Sequence, residues 1–388
     1  EGGKAIKNKW VFKTKRGPDG KIERYKARLV VKGCSQRPGI DYDEVYAPVV
    51  RYSTIRFLMA LATKFDLEVD QMDAVTAFLQ GKLNDEVIHM QQPEGFVKDT
   101  TKVCRLQRAL YGLKQSSRVW NQQLDEALHE FGLEQSKVDT CLYYKIDGDR
   151  MLFVTIYVDD FLIFTNNAKL KRRLKKFLCT RFQMKDLGQA KFCLGLKISR
   201  DRERGELSLD QQSYIEDVLG RFNMTSCHPV CTPFEASERL DKSMSPQNAE
   251  EAEQMKDVPY KEAVGCLQYI AQATRPDISY AVNAVSQFSS NPGRKHWEAV
   301  KRIFRYLKGT AGNRLRYSKQ GNEEIVGYTD ADWGGKIDTR RSTTGYVFVF
   351  QGGAISWNVK KQPTVALSSC EAEYMALSRM KRYGGGIC

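Results

Sequence analysis

The chain has 388 residues, 41% of them hydrophobic and 11% aromatic, which is enough apolar material for two or three cores and excludes a disordered polymer. Its formal net charge of +14 points to nucleic acid or another acidic surface as partner. No apolar run is long enough to span a bilayer and no signal peptide is present, so a soluble intracellular protein is expected, and ten cysteines without a Cys-x-x-Cys pair fit a reducing compartment.

The basic charge is concentrated at the start. Residues 1–37 hold twelve Lys or Arg against three acids, interleaved with Trp10, Val11, Phe12, Ile22, Tyr25, Leu29, Val30 and Val31 around a GPDG turn. This predicts a folded hairpin whose rows of cations suit phosphates. STIRFLMALATKF (53–65) predicts an amphipathic helix with Ile55, Leu58, Met59 and Ala62 on one face. LEVDQMD (67–73) predicts a strand running into a turn, AVTAFLQG (74–81) the start of a helix, and SRVWNQQLDEALHEFG (117–132) a helix closed by Gly132.

MLFVTIYVDDFLIF (151–164) predicts two buried strands, and NAKLKRRLKKFLCTRF a basic surface helix whose Leu170, Leu174, Phe177 and Leu178 face inward. CHPVC (Cys227, His228, Cys231) lacks a second ligand pair at zinc spacing and reads as structural thiols. The polar stretch 232–259, with seven acids against three bases, predicts a loop or linker. Helices follow at YKEAVGCLQYIAQAT and ISYAVNAVSQFSS. HWEAVKRIFRYLKGT (296–310) then sets Trp297, Val300, Ile303, Phe304 and Leu307 on one face and Lys301, Arg302, Arg305 and Lys308 on the other, a face suited either to solvent or to tracking a duplex. From Glu324 the pattern becomes IVGYTDADW, TTGYVFVF and AISWNV, then a helix near SSCEAEYMALS: a βββα order that marks a second domain. The chain starts at Glu1 and stops at GGGIC, as a piece of a longer product would.

The adjacent pair Asp159 and Asp160 is the oddity. Two like charges beside a core are costly, and a hairpin turn is ordinarily served by Asn-Gly or Asp-Gly. A divalent cation is the remedy that chemistry offers, and it asks for a third carboxylate and a polyanionic substrate. EVDQMD offers Asp70 and Asp73: Asp73 lies where strand gives way to helix, whereas Asp70 reads as a surface or supporting residue. Two or three convergent aspartates holding two Mg²⁺ ions, or Mn²⁺ in their place, are what nucleotidyl transfer needs, and Lys and Arg of the hairpin would neutralise an incoming triphosphate.

Seven blocks in this order resemble one family: KWVFKTKRGPDGKIERYKARLVVKGCSQ, DYDEVYAPVV, QMDAVTAFLQGKL, ALYGLKQSSRVW, YVDD, YKEAVGCLQYIAQATRPDISYAVN, and YTDADWGG with SSCEAEYMALS. Together they resemble the reverse transcriptase and ribonuclease H portion of the Pol polyprotein of copia-type LTR retrotransposons, over nearly the whole chain. The resemblance implies an α+β fold: a right-hand polymerase with fingers and palm over 1–199, a helical thumb or connection over 200–318 that includes the polar linker 232–259, and a truncated ribonuclease H-like βββα domain over 319–388.

It also implies roles. Asp73, Asp159 and Asp160 become the catalytic carboxylates, with Asp73 and Asp159 the closest metal ligands. Lys26 and Arg28 would hold the triphosphate, and Phe78 would lie beneath the sugar as a steric gate or, on the blander reading, fill the core. Gly112 would allow close backbone approach, with Tyr111 and Gln115 near template or sugar, or else packing and capping the next helix. Leu194, Gly195 and Leu196 fall in the primer grip, with Gly195 at its turn. Asp330 and Glu373 match two ribonuclease H carboxylates, Glu371 is the alternative to Glu373, and Asp332 reads as a surface residue. The chain departs from the family after ALS, so little ribonuclease H activity is expected.

The implied partners are an RNA template, a DNA primer or RNA–DNA hybrid, deoxynucleoside triphosphates and the rest of the Pol polyprotein, its protease and integrase included, in a pathway ending in DNA integration. No membrane is implied, and the expected location is a cytoplasmic virus-like particle or the nucleus. The rival reading is a catalytically inactive or domesticated remnant that only binds nucleic acid.

Overall fold

A computed structural model describes residues 5–16, 21–83, 87–235 and 239–384. The GPDG turn expected at the tip of the basic hairpin lies outside the described residues, as do the first four and last four residues of the chain. The first half runs β1 (Asn8–Arg16), β2 (Ile22–Val31), α1 (Tyr52–Lys64), β3 (Glu68–Ala74), α2 (Ala77–Gln80), β4 (His89–Met90), β5 (Cys104–Arg105), α3 (Ser116–Phe131), β6 (Glu134–Gln135), β7 (Leu142–Asp147), β8 (Arg150–Tyr157), β9 (Asp160–Thr165), α4 (Ala168–Arg181) and β10 (Met184–Gln189). There follow β11 (Phe192–Cys193), β12 (Leu196–Asp201), β13 (Glu206–Asp210), α5 (Gln212–Arg221), α6 (Ala249–Met255), α7 (Tyr260–Ala273), α8 (Ser279–Ser286), α9 (Arg294–Gly309), β14 (Leu315–Ser318), β15 (Val326–Ala331), β16 (Thr343–Phe350), β17 (Gly353–Lys361) and α10 (Ser369–Gly384). The chain divides into two compact units, Glu1–Val50 with Val69–Gln189, and Arg51–Glu68 with Ala190–Cys388.

In the first unit a six-stranded sheet, order β10-β3-β9-β8-β7-β6, carries the core. The inward side chains of β8 and β9, Leu152, Val154, Ile156, Phe161 and Ile163, pack with Trp120, Leu124 and Leu128 of α3 and Leu174 and Leu178 of α4. The two inward leucines of α4 are the i, i+4 pair that the sequence pattern predicts. The basic hairpin forms as expected. Its antiparallel register pairs Val11 with Arg28, Lys13 with Lys26 and Lys15 with Arg24, and in alternation Trp10 with Leu29, Phe12 with Ala27 and Thr14 with Tyr25. Side chains alternate faces along a strand, so one face of the hairpin is cationic and the other apolar.

Two expectations are corrected. The helix expected to begin over 74–81 is a single turn: Thr76, at a left-handed φ of 52°, and Val75, whose N–H donates to Gln183 O at 2.9 Å, keep it from starting before Ala77, and extended Gly81 ends it. The polar stretch expected to be loop holds the two-turn helix α6, started by Asn248, whose side chain accepts from Glu251 N–H, with Glu250 and Glu251 at its positive end. Capping formed that helix without any apolar face.

In the second unit α5, α7, α8 and α9 enclose Ile215, Leu267, Ile270, Val285, Ile303 and Phe304. One four-stranded sheet has the order β11-β12-β13-β14, and another of three strands, β15-β16-β17, carries α10, giving the βββα order read from the sequence. The Arg-Pro-Asp between α7 and α8 is a structural clamp. Arg275, 2% exposed, grips Asp277 with Nε and Nη2 at 3.0 and 2.7 Å and reaches Thr310 O at 2.9 Å. Burial pushes the Asp277 carboxyl up, but the hydrogen bonds of Arg275 outweigh it and hold the group below its ordinary value. Arg275→Ala is therefore expected to cost about 3 kcal/mol in urea unfolding at neutral pH by leaving the carboxylate without its partner. Part of that penalty should vanish on acidification through the depressed Asp277 value, where the wild-type clamp is itself lost.

Candidate active site

Asp73 lies near the end of β3, and Asp160 opens β9, paired with Tyr157 across a two-residue turn of Val158 and Asp159. The first turn residue is left-handed, at φ 60°. For a β-branched side chain this costs on the order of 1–3 kcal/mol and persists only where neighbours fix it. Those neighbours are visible. The buried Trp120 donates its indole N–H to Val158 O at 2.7 Å, and Ala74 N–H donates to Asp159 O at 2.7 Å. The second bond ties the turn to the end of β3, which brings Asp73 to the Asp159–Asp160 pair.

The charges report that proximity. Burial first, and the Asp159 carboxylate second, raise the Asp73 carboxyl above its ordinary range, against the pull of Lys185, Lys26 and Lys15. Burial also raises Asp160, with Asp159 and Asp73 adding to the rise and a hydrogen bond from Gln71 opposing it. Gln71 Nε2 donates to Asp160 Oδ1 at 2.7 Å, which fixes one oxygen of this carboxylate. Among the described residues no three His, Cys, Asp or Glu side chains gather into a group that could hold a metal ion. A cage is not what Mg²⁺ needs, however: one or two carboxylates suffice when substrate phosphates and water supply the remaining oxygens. The pair Asp73 and Asp159 fits that donor set, with Asp160 beside them and bonded to Gln71.

The cationic face of the hairpin belongs to the same electrostatic neighbourhood. Lys26 is lowered by partial burial and then by Arg28, Arg24 and Lys15, while Asp159 raises it. Arg28 lies over the Tyr111 ring at 5.4 Å, and its buried Nε has no hydrogen-bond partner among the described residues. Tyr111 in turn meets Phe78 edge-on at 5.2 Å. Phe78, half-buried on the single turn α2, thus touches both the core and the Tyr111–Arg28 stack.

Gly112 lets its backbone approach Val31 of the hairpin closely. With φ at 93°, a Cβ there would stand 2.1 Å from Val31 O, and Val31 N–H donates to Tyr111 O at 2.8 Å. Gln115 is 1% exposed, with its amide accepting from Gln36 Nε2 at 3.0 Å and donating to Asp41 O at 3.0 Å. It braces the loop that carries Gln36 and Asp41 and presents almost nothing to solvent. It stands at the start of α3 without capping it.

Asp70 is 7% exposed and bonded to Lys171 and Lys175 at 3.0 and 2.6 Å, a supporting ion pair on α4. The sequence reading missed Gln71, Lys15 and Lys185 as neighbours of the carboxylates. Lys185 lies opposite Asp73 only because β10 pairs with β3, and the exposed edge strand Met184–Gln189 carries no alternation to announce it.

The remaining assigned residues belong to the second unit. Leu194 and Gly195, both at positive φ, form the turn between β11 and β12, Leu196 is buried, and Tyr269 Oη donates to Leu194 O at 2.8 Å. Asp330 sits exposed on β15, and Glu373 in α10 accepts from the neighbouring Ala331 N–H at 3.4 Å, which ties the helix to the strand end. Glu371 accepts from Leu367 N–H, and Asp332 from Thr343 N–H. Asp332, partly exposed, links the end of β15 to the start of β16. On α9, Arg302 is paired with Glu235 and Arg305 donates to His228 O, so part of the face suited to a duplex is covered by the 228–235 segment.

Residues 1–236 match the family model described as "Reverse transcriptase (RNA-dependent DNA polymerase)". The chain is 49% identical over 380 residues to the Retrovirus-related Pol polyprotein from transposon TNT 1-94 of Nicotiana tabacum, covering 97% of this chain and 28% of that protein. It is 40% identical over 382 residues to the Pol polyprotein from transposon RE1 of Arabidopsis thaliana, covering 98% and 25%. It is also 33% identical over 311 residues to a putative transposon Ty5-1 protein of Saccharomyces cerevisiae, covering 79% of this chain and 98% of that one. The chain thus spans about a quarter of the length of the two plant polyproteins. With the matched segment carrying the strained Val158–Asp159 turn, Asp160, Asp73 and the cationic hairpin, the chain belongs to the reverse transcriptase (RNA-dependent DNA polymerase) family, as a region of a copia-type retrotransposon Pol polyprotein.

Proposed function

We propose that this chain is an RNA-directed and DNA-directed DNA polymerase that extends a DNA primer by two-metal nucleotidyl transfer. The observation that carries the reading is electrostatic: Asp73 and Asp159 repel one another within reach of Lys26, Lys15 and Lys185. Such an arrangement wants a divalent cation at its centre and an anion at its rim. Two Mg²⁺ ions bound there would supply the acidity that activates a primer 3′-hydroxyl and the charge that steadies the transferring phosphoryl group. Asp73 and Asp159 would hold them, and Asp160, steered by Gln71, would complete the set.

Lys26 and Arg28 neutralise the triphosphate of an incoming deoxynucleotide in this reading. Stacking on Tyr111 restrains the Arg28 guanidinium, whose terminal nitrogens would meet the phosphate oxygens. Phe78 closes the sugar pocket from below, where a 2′-hydroxyl would meet its ring. Phe78→Val is expected to raise ribonucleotide incorporation relative to deoxynucleotide by about 10- to 100-fold in single-nucleotide extension. Unchanged discrimination would remove Phe78 from that role.

The right-hand description belongs to the same proposal: fingers and palm over 1–199, thumb over 200–318 with the β11–β12 turn as primer grip, and a truncated ribonuclease H-like domain over 319–388 that carries Asp330 and Glu373 but has little ribonuclease H activity. The partners are an RNA template, the DNA primer or hybrid, deoxynucleoside triphosphates and the remaining Pol domains. The proposed location is a virus-like particle in the cytoplasm, with passage to the nucleus. No helix among the described residues is long and apolar enough to cross a membrane.

The test is extension of a DNA primer on RNA and on DNA templates. Binding of both without extension would leave only the nucleic-acid-binding remnant.

A further inference from the structure

The first unit holds a second cationic site. Strand β8 runs from Arg150 to Tyr157, and β9 returns from Asp160 to Thr165, so the residues flanking Arg150 and Asn166 lie at the end of the sheet opposite the Asp159 turn, roughly 23 Å away at about 3.3 Å per residue. There an open cleft of about 800 Å³ is lined by Lys145 and Arg150 from the β7–β8 hairpin and by Lys169, Arg172 and Arg173 from α4. Asp147 is the one acid in the lining.

Helix α4 sorts its cations. Lys171 and Lys175 turn inward to Asp70, and Lys175 also to Asp186, so their charge is spent within the fold. Lys169, Arg172 and Arg173 line the cleft instead, and none of the five lining cations is ion-paired with a carboxylate among the described residues. Five exposed cations around one concavity, against the single Asp147, give a local positive field that draws in polyanions.

The walls are also fixed in place. Asn166 joins the two strand ends, accepting from Met151 N–H at 2.9 Å and donating to Asp149 O at 2.6 Å. Asn167 caps α4 by accepting from Leu170 N–H at 2.9 Å, which directs the positive end of a 14-residue helix at the cleft. Arg173 stacks over Phe131 at 5.3 Å. We infer that this cleft is a second nucleic-acid site, which takes consecutive backbone phosphates of a single-stranded RNA segment at the far end of the sheet from the carboxylates. A cleft with several separated cations and no converging polar base-reading group suits backbone contact without sequence preference.

The test uses the full chain and a fluorescein-labelled RNA of about 20 nucleotides, with anisotropy read across a salt series. In K169Q/R172Q/R173Q, affinity should fall about tenfold, and the slope of log K against log salt should become shallower by about two, each phosphate contact contributing about 0.7. K145Q/R150Q, which alters a different element, should shift the slope in the same direction. A control with three exposed cations removed elsewhere, K98Q/K137Q/K261Q, should leave it unchanged.

Extension at saturating primer–template should be unaltered in the cleft variants. An unchanged slope, or an equal change in the control, would overturn the inference. Displacement of the RNA by polyglutamate as readily as by unlabelled RNA would overturn it in favour of an acidic protein surface, and displacement by millimolar inorganic phosphate would overturn it in favour of a single-phosphate site. Because binding is read separately from extension, a chain that extends nothing would leave this inference standing and sink only the polymerase reading.

Discussion

Asp73→Asn is expected to lower primer extension at least about a thousandfold, a loss of roughly 4 kcal/mol of transition-state stabilisation, while leaving the fold intact. The two halves of that expectation come from the same physical fact. Asp73 is raised by burial and by Asp159, so in the absence of a cation its charge opposes folding, and replacing it with a neutral isostere removes the repulsion.

The sign can be followed through pH. A carboxyl whose folded pKa exceeds its unfolded value binds more protons in the native state, so stability is greatest below the unfolded value near 3.8 and falls as pH rises through the raised native one. Asp160 is raised too and contributes in the same direction. In urea titrations without divalent cation, Asp73→Asn should therefore flatten the decline of stability over that window and unfold no more easily than wild type at pH 7. A strongly destabilised variant would mean that Asp73 holds the fold together, and the loss of extension could then not be charged to chemistry.

Gly112→Ala should be the most damaging small substitution in the first unit. The new Cβ would lie 2.1 Å from Val31 O and 2.8 Å from a Val30 methyl, on a backbone at φ 93° that L side chains rarely adopt. Overpacking and left-handed strain together cost about 3 kcal/mol or more, which in a unit of this size corresponds to roughly 6–12 °C in melting temperature. The functional consequence follows from what the contact positions. Val31 closes β2, the strand that carries Lys26 and Arg28, and its N–H bonds to Tyr111 O, so forcing Gly112 away from Val31 also shifts the ring under Arg28. The Michaelis constant for deoxynucleotide should rise more than the turnover number falls. A melting temperature within about 2 °C of wild type would show that the loop yields cheaply and that the tight crossing is incidental.

Local pattern explains what could be read from the sequence. The hairpin, the paired buried strands around Tyr157–Asp160, α3, α4 and the helices of the second unit each carry a periodicity that a few neighbouring residues determine, and Asp73 was found because a strand ends there. What stayed hidden depends on register and long-range contact. Gln71 points at Asp160, and Lys185 faces Asp73, only through pairings between segments far apart in sequence.

Left-handed Thr76 kept a helix from starting before Ala77, extended Gly81 ended it after one turn, and Asn248 began one that no apolar pattern required. The apolar stripe of α1 likewise does not say which strands it covers: it packs on β13, β14 and β17 in the second unit, with Arg56 donating to Ile355 O at 2.8 Å. Gln115 shows the same limit at the site, since its burial arises from Gln36 and Asp41 and not from its own neighbours.

The central claim is that Asp159 and its neighbours hold metal for nucleotidyl transfer. The most direct measurement compares this chain with Asp159→Asn in extending a DNA primer on an RNA template with deoxynucleotides and Mg²⁺. Extension by the wild type that falls at least about a thousandfold in the variant, with equal binding of the duplex by both, is the predicted result. Failure of both proteins to extend a primer that both bind, or equal extension by both, would contradict it.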